Sequence, residues 1–160
     1  MSRYFEDIQV GDSVELGSHS FDAAGIKAFA MRFDPQRFHV DEVAATRSHF
    51  GALCASGWHT AVVAMRLLVE HRDHVADAMR ARGETPAAVG PSPGFRQLKW
   101  LQPVYAGDTV IYATTVVEMR PSASRAAWGL ISNSVTGTNQ NGQPVISFVG
   151  TGFVEMRKRA

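Results

Sequence analysis

The chain has 160 residues, of which 45% are hydrophobic and 19% charged, and its formal net charge is +1. This length suits one domain, residues 1–160, with a sizeable core, and the balance is ordinary for a globular protein. The small net charge excludes the strong field used to bind nucleic acid or an anionic membrane surface.

The opening MSRYFEDIQVGDSVELG holds acidic residues and no apolar h-region, so no signal peptide is expected. Tyr4, Phe5 and Ile8 are candidate anchors, and Gly11-Asp12 is a turn. Val14 and Leu16 alternate with polar neighbours, which predicts a strand over Ser13–Ser20. Asp22 is a candidate N-cap for a helix over Ala23–Phe33, whose Ile26, Phe29, Ala30 and Phe33 share one face. Pro35 biases Asp34 away from helix, so DPQRFH (34–39) reads as an irregular connection. Asp41 then caps a short helix, Glu42–Ser48, closed by Gly51.

The stretch ASGWHTAVVAMRLLVEH (55–71) is the predicted axis of the fold. From Ala61 to Val69 only Arg66 is not apolar, and a helix apolar nearly all round is one that other structure wraps. The apolar runs are too short to cross a bilayer, so no membrane association is expected. Ser56 offers a capping hydroxyl, and Gly57 a backbone that a ligand can approach closely. The helix start also presents unpaired N–H groups and a partial positive charge. Charged residues 72–82 either extend this helix or form a separate amphipathic piece, and GETPAAVGPSPG (83–94) is a loop.

Beyond Gly94 the β-branched and aromatic residues rise. Strands are expected near Phe95–Leu101, Asp108–Met119, Ala126–Thr138 and Gln143–Met156, with Asn141-Gly142 as a two-residue type I′ hairpin. Both faces of 110–117 are fairly apolar, as suits a sheet that wraps a helix and also meets another subunit. The fold class is therefore α+β, an antiparallel sheet with one long helix on its inner face.

Asp34 and His39 stand out as the candidate acid–base pair. They lie five apart beside Pro35, just before the buried helix, and two such groups can share a proton or a water. The bland alternative is that Asp34 turns the chain and His39 satisfies a local carbonyl. Cys54, the single cysteine, reads as a small buried residue and suits a reducing cytoplasm. His59 sits in the first turn of the long helix, where it either lines a pocket or packs locally. Trp58 and Phe38 read as packing residues, with substrate contact as the alternative. Arg37, Arg96, Lys99 and Arg125 have no assigned role, and no metal site is expected.

The run FDPQRFHVDEVAATRSHFGALCASGWHT resembles the MaoC-like dehydratase family, which includes R-specific enoyl-CoA hydratases. In the family pattern an Asp and a His five residues apart are followed by an Asp, a Phe-Gly, and a His-Gly that opens a long helix. Asp34, His39, Asp41, Phe50-Gly51 and Gly57 match those positions. The likeness extends to LKWLQPVYAGDTV (98–110) and to the opening of the chain. Two departures alter the pocket wall: Gln36-Arg37 replaces Asn-Pro, and Ser56 replaces the His before the glycine.

The resemblance implies a hot-dog fold, a sheet curled around one helix, in a homodimer or higher homo-oligomer. It also implies a hydro-lyase acting on an acyl-CoA thioester, with no cofactor beyond the coenzyme A of the substrate. Asp34 and His39 would be catalytic, with Gly57 donating to the oxyanion, and Phe38, Ser56, Trp58 and His59 would contact substrate. Two rivals remain. A hot-dog thioesterase needs a carboxylate near the central helix, and Glu70 lies at its far end. A non-catalytic acyl-thioester-binding domain has no need of the pair.

Overall fold

Asp22 ends one strand and starts a helix: its carboxylate accepts the Gly25 N–H at 2.8 Å, which caps α1 (Ala23–Phe33). The computed structural model describes residues 3–157. A 3₁₀ turn at Phe5–Asp7 leads into β1 (Ser13–Ser20), and α1 follows. Two short helices come next, α2 (Arg37–Val40) and α3 (Glu42–Thr46), then the long α4 (Gly57–Ala81). The remainder is β2 (Gly94–Trp100), β3 (Thr109–Pro121), β4 (Trp128–Asn139) and β5 (Pro144–Glu155). The strands form one sheet in the order β1-β3-β4-β5-β2, antiparallel at every junction. Curled around α4, this sheet makes the hot-dog fold. Among the described residues no helix is long and apolar enough to cross a membrane.

Helix α4 runs ten residues beyond His71, because the charged stretch keeps a helical apolar stripe: Ala76 is buried, with Val75 and Met79 partly covered. Its inner side buries Thr60, Val63, Ala64 and Leu67 against Val110, Tyr112, Val135, Ile146 and Phe148 of the sheet. The Tyr112 hydroxyl donates to the Thr60 carbonyl at 3.1 Å and so ties β3 to the first turns of the helix.

Two expectations need correction. The helix is not sheathed on all sides: Trp58, Val62 and Met65 are 49%, 53% and 51% exposed. The sheet covers one side of α4 and leaves an apolar stripe on the other. Strand β3 buries Val110, Tyr112, Thr114 and Val116 on the helix side and carries Ile111 and Val117 on its outer face. Finally, the β4–β5 turn is not a two-residue type I′ turn. Gly142 has φ +76°, but Asn141 keeps a negative φ. The Gly142 N–H donates to the Asn139 carbonyl, and the Asn139 N–H to that of Gln143. This is a three-residue loop, a type I turn followed by a left-handed glycine. The Asn139 side chain favours it by accepting the N–H groups of Asn141 and Gln143.

Candidate active site

Asp34 closes α1 at φ −154° and ψ 69°, outside the helical region that the following proline disfavours. The next residues are more ordered than expected: Arg37–Val40 form one helical turn, with the His39 N–H donating to the Gln36 carbonyl. That turn carries His39 inward, where it is only 5% exposed. Asp41 then caps α3, accepting the N–H groups of Val43 and Ala44. The chain returns through Cys54 and Ser56 to the start of α4, which brings the two halves of the site together.

His39 Nδ1 lies 2.7 Å from the Cys54 carbonyl. A carbonyl only accepts, so Nδ1 carries the proton and Nε2 presents a lone pair in neutral imidazole. His39 Nε2 is 3.5 Å from Asp34 Oδ2. The same Asp34 oxygen accepts the Ser56 hydroxyl at 2.6 Å, and Oδ1 accepts the Gln36 amide at 2.9 Å. Burial pushes the Asp34 carboxyl up, but the Ser56 and Gln36 hydrogen bonds and the nearby imidazole outweigh it, so its pKa is lowered. Asp34 is therefore an anion at neutral pH. A carboxylate oxygen and an imidazole lone pair at this separation can together accept both protons of one water.

The pair faces a cavity of about 540 Å³. Asp34, Phe38, His39, Ser56, Gly57 and Trp58 all line it. Phe38 packs edge-on against His39, with ring centroids 4.5 Å apart. Ser56 is fully buried and also caps α4, accepting the Trp58 N–H at 3.2 Å. Gly57 opens the helix, and its N–H makes no hydrogen bond among the described residues. The Trp100 ring lies so close above it that a Cβ would collide, at 2.4 Å. Glycine is thus required here by an aromatic side chain of the same protein.

His59 is placed elsewhere and corrects its expected contact with substrate. One position round the helix from Trp58, it stacks on Phe29 at 4.4 Å and meets Phe21 edge-on at 5.0 Å. Burial holds its pKa down at about 4, and its Nδ1 is buried without a partner. Glu70 also lies outside the cavity, exposed and paired with Arg66 at 3.4 Å. The Cys54 thiol is pushed up to about 11 by burial, so it is a poor nucleophile. Arg96 pairs with Glu118 at 3.1 Å on the outer surface of the sheet.

Sequence reasoning missed Gln36, the Cys54 carbonyl and Trp100. Gln36 stands two residues after Asp34, a spacing that allows a local side-chain bond. The other two roles arise only from chain return and had no local signal.

Residues 7–138 match the family model described as MaoC like domain. The chain belongs to the MaoC-like family. Among solved structures, it is similar to a MaoC-like dehydratase from Rhodospirillum rubrum, at 38% identity and a TM-score of 0.80, covering 98% of this chain and 99% of that one. The R-hydratase PhaJ1 from Pseudomonas aeruginosa shares the fold at 18% identity and a TM-score of 0.68, covering 99% and 92%. A mesaconyl-CoA hydratase from Cereibacter sphaeroides is 35% identical over 66 residues, which are 41% of this chain and 18% of that protein. This chain therefore aligns with less than a fifth of that relative. Against the MaoC-like pattern, the serine at position 56 is accounted for locally: its hydroxyl serves the helix cap and the Asp34 carboxylate at once.

Proposed function

We propose that this MaoC-like protein adds water to a 2-enoyl-CoA thioester and catalyses the reverse dehydration of a 3-hydroxyacyl-CoA. The observation that carries this reading is the approach of Asp34 Oδ2 to His39 Nε2, with the imidazole tautomer fixed from behind by the Cys54 carbonyl. Water is a weak nucleophile and needs a base. Asp34 and His39 hold it by its protons and accept one as its oxygen attacks the β-carbon. The pair then returns a proton to the α-carbon. Such acid–base help contributes roughly 10²–10⁴-fold in rate.

As water adds, charge develops on the thioester oxygen. The Gly57 N–H, at the positive end of a 25-residue helix, is the donor assigned to it. One donor of this kind contributes roughly 3 kcal/mol in a dry site. Phe38 and Trp58 form apolar wall, and Ser56 acts through Asp34. The only coenzyme in this scheme is the coenzyme A of the substrate, and the buried free thiol of Cys54 suits the cytoplasm. The exposed apolar stripe on α4 is assigned to a second copy of the chain in a homo-oligomer.

The site favours hydration over thioester hydrolysis, because Glu70 is ion-paired outside the cavity. Incubation with crotonyl-CoA and longer enoyl-CoAs tests this directly. Loss of the conjugated thioester absorbance without free thiol is the expected result. Release of thiol, or no change with any chain length, defeats the proposal.

A further inference from the structure

The cavity beside Asp34 is short of positive charge. Among the described residues, none that lines it is a lysine or an arginine. Arg32 and Arg37 neighbour its lining residues in sequence, but both are exposed, and Arg32 packs on the Phe33 ring. The one basic side chain in the wall, His39, is turned to the Cys54 carbonyl and to Asp34, so a proton gained at Nε2 would lie against that carboxylate. The nearby donors are engaged as well. The Ser56 hydroxyl and the Gln36 amide bond Asp34, the Trp58 N–H bonds Ser56, and the Thr60 hydroxyl bonds the Gly57 carbonyl. Even the positive end of α4 is met by an anion, because Ser56 links that end to Asp34. Further in, the wall is made by the buried apolar residues Ala55, Val104 and Val145.

A carboxylate moved into such surroundings loses its water and gains no cation. It also meets the charge of Asp34. Two like charges about 6–10 Å apart in a part-buried site repel enough to change affinity roughly 10- to 100-fold. We propose that Asp34 also acts as a charge filter, so that the site takes thioesters of uncharged acyl groups and turns away acyl groups that carry a second carboxylate. The inference rests on the reading of this cavity as an acyl-thioester site and adds to it the charge class of the acyl group. Asp34 then has two parts, one toward the attacking water and one toward the choice of substrate.

The test measures binding to the full chain, by isothermal titration calorimetry, of two saturated thioesters of matched shape. These are 4-methylpentanoyl-CoA and succinyl-CoA, which differ only in ending on an isopropyl group or a carboxylate. The neutral thioester should bind roughly 10- to 100-fold more tightly. Asp34→Asn keeps the shape of the side chain and removes its charge, so it should shrink that preference by about tenfold, a gain in succinyl-CoA binding that loss of a catalytic group would not produce. Gln102→Arg places a cation in the cavity wall and should shrink the preference too, whether the arginine pairs with Asp34 or with the ligand. Unchanged affinity for the neutral thioester shows that each variant is folded. Equal binding of the two thioesters to the native chain, binding of neither, or an undiminished preference in either variant overturns the inference. Turnover of crotonyl-CoA reads the hydratase proposal separately. A preference without turnover defeats only that proposal, and turnover without a preference defeats only this inference.

Discussion

The amino end and the middle of α4 treat polar groups in opposite ways. At the amino end, Asp34 accepts two hydrogen bonds, His39 Nδ1 donates to a carbonyl, and Ser56 both donates and accepts. Beside the middle of the helix, Thr114 Oγ1 and Asn133 Oδ1 are buried with no hydrogen-bond partner among the described residues. One helix and one sheet supply both walls, so the difference lies in the chain that reaches each place. The amino end is built by segments returning from α1, α2 and the Cys54 region, each bringing a partner. The middle is flanked by the 83–94 loop, which meets the sheet through backbone pairing of Val89 with Val154. Preorganised polar groups hold a carboxylate ionised inside a protein, whereas unmet ones only cost stability.

This contrast breaks most sharply at Asp34. Asp34→Asn and His39→Ala should each lower the turnover number with crotonyl-CoA roughly 10²–10⁴-fold, while circular dichroism and Tm stay near the native values. Wild-type-like turnover in either would remove that group from the chemistry. Gly57→Val comes next: the branched side chain must displace Trp100 and crowd the Gly57 N–H, the proposed oxyanion donor, for a loss of about 10²-fold in kcat.

Ser56→Ala sharpens the comparison by removing one polar link. The lost helix cap should cost about 1 kcal/mol in a denaturant titration. A depressed carboxyl stabilises the native state above its unfolded pKa, and that contribution disappears as pH falls through the native pKa. Without the Ser56 bond the Asp34 carboxyl rises, so both the acid limb of the rate profile and acid unfolding should move to higher pH.

His59 supplies a smaller effect with the opposite group type. Its pKa is held down at about 4 by burial, so between the ordinary imidazole value and that figure the unfolded chain binds the extra proton. Stability should therefore fall as pH drops through this window, and His59→Phe should flatten that slope in Tm against pH. Thr114→Val should have the least consequence, a Tm equal to or slightly above native. Deleting an unmet buried hydroxyl removes a penalty rather than a bond.

Most of the architecture was legible because it rests on local chemistry. Asp22 and Asp41 cap the helices that follow them, and Ser56 caps α4. The spacing of Asp34 and His39 singled them out, but not their meeting. A five-residue separation becomes a 3.5 Å approach only because Arg37–Val40 winds into a turn and the Cys54 carbonyl anchors the far side of the ring. His59 misled because a helix position next to Trp58 looks equivalent in sequence, whereas one residue turns a side chain by about 100°. The Asn141-Gly142 turn misled because a dipeptide does not register its flanks, and the Asn139 side chain settled the loop instead.

Strand β2 contains one residue too many. Its pairing with β5 slips between Arg96 and Lys99, where Gln97 takes φ +57°. Side chains normally change sides at each step, so Phe95 and Trp100 ought to point opposite ways. The insertion reverses the alternation halfway along, and both rings end up on the helix side, Phe95 beside Phe148 and Trp100 above Gly57. The roof over the Asp34 end of α4 is thus governed by the parity of a border strand. Excision of a single residue there would swing the indole outward and leave the mouth of α4 uncovered, with no atom of Asp34 or His39 altered.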